Sequence, residues 1–306
     1  MEPIIYIDRK TGKRETEEVY GGEMLRFVYG KSMIGSLLRT LSAKVPFFSW
    51  LYGVCQKMPW SRKKILPFIK KFNIDVDDFL DRAESYRSFN AFFTRQLKQS
   101  CRPISDAPVV MPADARYYFY QDIAAANGFI IKGKKFSLAN LIGDSSLAER
   151  YAGGSMVMAR LCPTDYHRFH FPCDCIPGKP LRINGYLYSV NPFAVKQNIE
   201  IFTENKRFVT ELKTESLGRV LYIEVGATNV GSVIQTYLPD ATYEKGAEKG
   251  YFSFGASALI LLFEKGRIAI DSDLLEATEA GYEMRCLMGQ PLAAANLRQQ
   301  TQELKV

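Results

Sequence analysis

Acidic residues are missing from a long stretch near the start of this chain, and histidine is almost missing from all of it. No Asp or Glu occurs between Glu23 and Asp75, and the 306 residues hold only two histidines. Six cysteines are too few for a disulfide-stapled scaffold. The longest useful apolar run, ALILLF at Ala258–Phe263, is far short of the roughly 18–20 residues that a membrane-crossing helix needs. The opening segment, MEPIIYIDRKTGKRETEEVY, has scattered charge and no apolar heart of a secretory signal, so the expectation is a protein made and kept in the cytoplasm. No Gly-x-Gly-x-x-Gly follows a strand and no Walker loop occurs, so nothing supports a nucleotide or dinucleotide cofactor. What remains is 47% apolar, 13% aromatic and 24% charged, with a net charge of +7. That composition excludes a mainly disordered chain, a collagen-like fibre and a coiled coil.

The stretch without acids is rich in both basic and apolar residues. Arg26, Lys31, Arg39, Lys44, Lys57, Arg62, Lys63, Lys64, Lys70 and Lys71 alternate with Phe, Leu, Ile and both tryptophans, Trp50 and Trp60. Met33, Leu37 and Leu41 have helical spacing, as do Ile34 and Leu38. Three readings compete: a helical arm lying on an anionic membrane, a basic helical subdomain packed on the core, and a nucleic-acid face. The stretch is too apolar for the last. Interfacial tryptophan and basic side chains suit the first.

Ile74–Leu97 reads as a helix, with Asp75 or Asp77 as its cap. From Val109 onward, short apolar or β-branched runs alternate with Gly-, Pro- and Asn-rich turns, a strand pattern. Asn184-Gly185 and Lys265-Gly266 mark tight turns, and helical inserts are expected at Leu138–Leu147 and around Val195–Thr203. The expected fold class is α+β: a helical, basic front over residues 1–105, on a mixed, mostly antiparallel β body over residues 106–306. Long helices do not alternate with the strands, which argues against an open parallel sheet.

Both histidines fall in one segment, Pro163-Thr164-Asp165-Tyr166-His167-Arg168-Phe169-His170-Phe171-Pro172. Imidazole exchanges protons near neutral pH, so His167 and His170 are either a catalytic pair or two structural residues. With Cys173 and Cys175 they also offer nitrogen and sulfur for zinc, but Cys-Asp-Cys is too tight for a chelating pair, and no metal is assigned. Asp114 ends the strand-like run Met111-Pro112-Ala113-Asp114 and either orients a histidine or caps a turn. Ser257 follows the small residues Gly255 and Ala256 and opens a buried strand, as a nucleophile or as a structural serine. The segment lacks the Gly-x-Ser-x-Gly elbow of the hydrolase fold.

Taken together, these motifs resemble the phosphatidylserine decarboxylase family. The resemblance rests on Asp165-Tyr166-His167-Arg168-Phe169-His170-x-Pro172, on Met111–Asp114, and on Lys245-Gly246-x-Glu248-x-Gly250-x-Phe252-x-Phe254-Gly255-Ala256-Ser257. Phe89-x-x-Phe92-Phe93-x-Arg95-x-Leu97-Lys98, Arg102-Pro103-Ile104, Ser189-Val190-Asn191-Pro192-x-Ala194 and Phe202-x-x-Asn205-Lys206-Arg207 add to it. It runs from about Ser88 to the 280s. The pattern departs where the family usually has glycine before the cleaved serine, a hydroxyl residue after it, and Asp-Gly upstream; here Ala256, Ala258 and Asp114-Ala115 stand there.

The resemblance implies a proenzyme that cuts itself between Ala256 and Ser257. Asp114 would orient His170, and His170 would deprotonate Ser257. Ser257 would become an N-terminal pyruvoyl group, the covalent cofactor. That group would form a Schiff base with phosphatidylserine and act as the electron sink for loss of carbon dioxide, with His167 returning a proton to give phosphatidylethanolamine. The long chain (1–256) and short chain (257–306) would stay associated, as a homodimer of the cleaved unit. The enzyme would sit peripherally on the cytoplasmic side of the cell membrane. Three other readings stay open: a serine hydrolase that does not cut itself, an uncleaved inactive membrane-binding homologue, and a zinc module.

Overall fold

The computed structural model describes residues 3–30, 35, 43, 45–124, 130–131, 134–135, 137–196, 198–227, 233–255 and 257–296. Its frame is a ten-stranded sheet. From one edge the order is Leu181–Ile183, Arg207–Lys213, Arg219–Gly226, Ser257–Phe263, Ser155–Leu161, Ala115–Tyr120, Glu283–Cys286, Ile5–Asp8 and Arg14–Thr16, with Ile176–Pro177 paired to Arg207–Lys213. Neighbours are antiparallel except Ile5–Asp8 on Glu283–Cys286. The mixed, mostly antiparallel body with helices is the expected α+β class.

The run ALILLF is a strand in the middle of this sheet because both of its faces are covered. Every position of Ser257–Phe263 and of Ser155–Leu161 is buried. Alternation along the strand sends Leu259, Leu261 and Phe263 to one core, shared with Phe169, Phe171 and Phe252. It sends Ala258, Ile260 and Leu262 to the other, shared with Leu141, Ile142 and Phe202. The first core is closed by a three-stranded sheet, Val233–Gln235, Glu248–Phe252 and Arg168–His170 in that order. The histidine segment therefore lies in the layer packed over the serine strand.

The front is a third packing unit. Pro46–Lys57 and Ile65–Phe72 are helices, and Ile65, Phe68, Phe79, Tyr86, Phe89, Phe92 and Phe93 form one aromatic cluster. Phe254, from the segment before Ser257, is buried in the same cluster.

Five local expectations need correction. The region read as a helical front begins with two strands, Ile5–Asp8 and Arg14–Thr16. Ile74–Leu97 is not one helix. It contains the 3-10 turn Ala83–Ser85, the five-residue helix Phe89–Phe93 and a bridge between Phe79 and Leu97. Its aspartates and serines bond to the local backbone instead of continuing a helix: Asp75 Oδ1 accepts from Asp77 N at 2.9 Å, and Ser88 Oγ accepts from Ala91 N at 3.2 Å. Asn184-Gly185 makes no tight turn; a β-carbon on Gly185 would collide with the Glu204 carbonyl, so glycine serves close backbone approach there. The insert at Leu138–Leu147 is two short helices, split at Gly143 with φ +79°, and the one around Val195–Thr203 is likewise two turns, Pro192–Val195 and Ile201–Glu204. The Lys265-Gly266 turn is present, but its flanking strands join different sheets.

One ion pair ties the two β layers together. Lys249 and Glu224 are both fully buried, and Lys249 Nζ donates to Glu224 Oε1, to Thr210 Oγ1 at 3.1 Å and to Gln235 Oε1 at 3.0 Å. Tyr222 and Tyr237 rings lie 4.8 and 4.9 Å from the ammonium. Breaking one side strands a buried charge, whereas replacing both sides need not. Lys249→Met should cost about 3–5 kcal/mol in urea unfolding, and adding Glu224→Leu should recover most of it.

Candidate active site

The site begins at the turn that leaves Ser155–Leu161. Asp165 Oδ2 accepts from Cys162 N at 2.7 Å and from Arg116 Nη1 at 3.0 Å, which closes the turn. His167 follows directly, just before Arg168–His170, and is fully buried. Its Nδ1 lies 3.0 Å from the Asp165 carbonyl oxygen. A carbonyl only accepts, so Nδ1 carries the proton and Nε2 presents a lone pair. Nε2 has no hydrogen-bond partner among the described residues. The Phe93 ring lies against the imidazole, tilted 38° to it, at 3.8 Å between centroids.

Burial pushes His167 down to about 3, and the nearby Arg95 cation pushes the same way. The Asp165 and Gly255 backbones oppose this. Arg95 is itself buried, with no carboxylate bonded to it among the described residues. Its Nη2 donates to the Thr164 and Asp165 carbonyls at 3.2 and 3.3 Å, and its guanidinium lies 5.0 Å from each of the Phe79 and Phe92 rings. It fixes the carbonyl that sets the His167 tautomer.

His170 ends its strand, paired opposite Glu248, and its ring stacks on Tyr166 at 5.8 Å. Burial pushes it down to about 4, with the Glu248 and Asp114 charges working against the shift. Its Nδ1 has no partner among the described residues. Asp114 is near enough to act on His170 as a charge but is not bonded to it. Its oxygens accept from Arg102 Nε at 3.0 Å, Arg102 Nη2 at 2.6 Å and Met288 N at 2.8 Å. Arg102 also bonds Asp78, so the carboxylate expected to orient His170 is anchored to the front.

Ser257 is the first residue of the central strand, opposite Gly226 on one side and Leu161 on the other. It is fully buried, and its Oγ has no partner among the described residues. Alternation turns its side chain to the Leu259 face, toward the histidine-bearing layer. Ala256 lies outside the described residues. Cys173 and Cys175 are buried free thiols of the core, and no group of three or more His, Cys, Asp or Glu among the described residues could hold a metal ion.

Sequence reasoning quoted Arg95 and Arg102 in motifs but gave neither a role. Their partners lie 12 to 70 positions away, and no local pattern announces such pairs.

This arrangement has close relatives. The family model for phosphatidylserine decarboxylase matches residues 89–294. The phosphatidylserine decarboxylase proenzyme of Chlamydia caviae is 51% identical over 294 residues, 95% of this chain and 98% of that one. Those of Chlamydia pneumoniae and Chlamydia trachomatis are 48% and 44% identical, over 95% and 94% of this chain and 97% and 96% of theirs. The chain belongs to the phosphatidylserine decarboxylase family. The stretch matched by the family model begins at Phe89 and so takes in the aromatic helix, both histidines and Ser257, but not the basic helices before them.

Both imidazoles are neutral when folded and free to protonate when unfolded. Below the ordinary histidine pKa of about 6.5 the unfolded chain therefore binds more protons, and stability falls with pH. That loss should run from about 6.5 down to about 4 for His170 and about 3 for His167. Urea midpoints taken at about pH 7.5 and about pH 5 should drop, and a His167→Gln/His170→Gln chain should drop less.

Proposed function

We propose that this chain is a phosphatidylserine decarboxylase proenzyme that cuts itself between Ala256 and Ser257 and carries the resulting N-terminal pyruvoyl group as its cofactor. The observation that carries the reading is the Ser257 hydroxyl: fully buried, without a partner among the described residues, at the start of the central strand and facing the layer of the two neutral histidines. A buried orphan hydroxyl costs free energy unless chemistry or later structure uses it. A pyruvoyl group formed there fits, because it removes the orphan donor. When present, that group supplies a carbonyl electron sink for the pair left behind by carbon dioxide.

The chain's own residues supply the rest. Neutral His170 takes the Ser257 proton. Oγ then attacks the Ala256 carbonyl carbon; the C–N bond breaks as the C–O bond forms, leaving an ester and a free amine. His170 passes its proton to that amine; loss of the α-proton of residue 257 to the freed base then eliminates chain 1–256 as a carboxylate, and water hydrolyses the tautomerised dehydroalanine to pyruvoyl and ammonia. Arg102 holds Asp114, whose charge raises the proton affinity of His170. In the mature enzyme His167 works through Nε2, its bare nitrogen. The amine of the substrate must shed protons before it reacts, and the carbon that loses carbon dioxide needs one back.

Phosphatidylserine keeps its acyl chains in a bilayer, so the reading asks for a peripheral membrane face. No helix among the described residues is long and apolar enough to cross a membrane. The front exposes Trp50 (60%), Trp60 (63%), Phe47 and Leu66 beside Lys57, Arg62, Lys63, Lys64, Lys70 and Lys71. Exposed tryptophan among cations suits an anionic headgroup layer, here that of the cytoplasmic face of the cell membrane. Trp50→Ser/Trp60→Ser should weaken binding to vesicles containing phosphatidylserine by about tenfold or more, leaving a salt-sensitive remainder.

Intact masses after incubation test the chemistry. The wild-type chain should give two polypeptides, the shorter starting at a pyruvoyl group. Ser257→Ala and His170→Ala should each give one chain of 306 residues. His167→Ala should be cleaved yet lose decarboxylation by roughly 100-fold or more. A wild-type chain that decarboxylates while intact would sink the mechanism.

A further inference from the structure

The motif Phe89-Asn90-Ala91-Phe92-Phe93 has no part in the chemistry above, yet it touches both halves of the site. Its helix is one and a half turns long, capped by Ser88, and packed at the centre of the aromatic cluster of the front. Phe93 lies against His167 on one side and 4.8 Å from the Phe254 ring on the other. Phe89 and Tyr52 close around Phe254 at 5.2 and 5.8 Å. Asn90 Oδ1 accepts a hydrogen bond from the Phe254 backbone N–H at 3.0 Å.

We infer that Asn90 is a positioning residue for self-cleavage, holding the Phe254 amide so that the chain reaches the Ala256–Ser257 bond in the attacking geometry. This rests on the self-cleavage reading above. The scissile bond lies between two fixed points. Downstream, Ser257 is locked into a ladder on both sides. Upstream, Phe254 is locked by its ring and by its amide. Only residues 255 and 256 lie between, and Gly255 has φ +140°, a conformation that side-chain-bearing residues rarely adopt. For Ser257 Oγ to stand over the preceding carbonyl carbon, the torsions of those two residues must turn that peptide to face it. With both ends fixed, few torsions remain. With the Phe254 amide released, the upstream end can shift along the chain, and the fraction of time in attacking geometry falls steeply with small displacements. The ring of Phe254 fixes where the segment docks; the Asn90 bond fixes how its backbone is turned.

The test follows cleavage of freshly translated full-length chain with time. Asn90→Leu keeps the volume and removes the acceptor, Asn90→Ser is too short to reach, and Asn90→Asp keeps an acceptor oxygen. Asn90→Leu and Asn90→Ser should slow cleavage on the order of tenfold or more, with the midpoint of the pH–rate profile unmoved. Asn90→Asp should stay within about threefold of wild type. Thermal unfolding of the same variants in an uncleavable Ser257→Ala background should show similar midpoints, separating positioning from folding. Should Asn90→Leu not fold, the Ser and Asp variants give the same comparison. Wild-type cleavage rates in Asn90→Leu or Asn90→Ser, or an Asp variant as slow as they are, would overturn the inference. Cleavage of the Ser257→Ala chain itself would instead overturn the reading beneath it.

Discussion

The pairing of Ser257–Phe263 on both of its edges is the constraint on which the rest of the structure depends. Seven register pairs join it to Arg219–Gly226 and seven to Ser155–Leu161. Both faces are covered by apolar side chains. A strand paired on both edges and covered on both faces fixes the position of the serine that opens it. The same pairing bears on a cut just before Ser257. The strand itself lies wholly downstream of that cut, and both of its ladder partners lie upstream of it. Chain 257–306 would begin inside the sheet and stay there, because leaving would expose its central strand to water.

The histidines are controlled by burial more than by partners. Taking an imidazole out of water disfavours its charged form, and here that term outweighs the carboxylates near His170. The cation beside His167 pushes it the same way. A buried guanidinium such as Arg95 is expensive, and its bonds to two carbonyls and its two aromatic neighbours offset that cost only in part. Its retention makes sense where one bonded carbonyl is the one that fixes the His167 tautomer. Arg102 does similar work for Asp114. Of the three groups read as an acid-base set, Asp114 is held by Arg102 and a backbone amide, His167 by a backbone carbonyl and His170 by the Tyr166 ring, with no hydrogen bond joining the three.

Much of this was visible in the sequence where the signal was local. The continuous apolar run after Ser257 announced a strand covered on both faces. The doublet of histidines announced the proton-handling segment, since no other imidazole exists in the chain. The helix read over Ile74–Leu97 was not there, because its acids and serines satisfy backbone groups locally and its phenylalanines bury in one cluster by wrapping, not by sharing a helix face. The two N-terminal strands were missed because Arg14–Thr16 is exposed throughout and carries no alternation to read. Arg102 on Asp114 and Asn90 on Phe254 join residues 12 and 164 positions apart, and only the folded chain brings them together.

The burial of Phe254 in the front has an energetic consequence for the order of events. The residue is 3% exposed, and the rings of Tyr20, Tyr52, Phe89 and Phe93 pack against its own. The aromatic cluster is completed only when the segment before Ser257 docks, and that segment takes its shape only when the cluster is there to receive it. A large aromatic ring contributes several kcal/mol by burial, roughly 3–5 by the cost of truncating one, so the front and the segment stabilise each other strongly. Self-cleavage, in the reading argued above, then waits on a folded front, and the part of the chain that carries the basic, tryptophan-bearing surface is in place before the bond is cut. On that reading, an enzyme whose substrate lies in a bilayer gains from that order: the reactive carbonyl would form only in a chain that already has the surface proposed to meet the membrane.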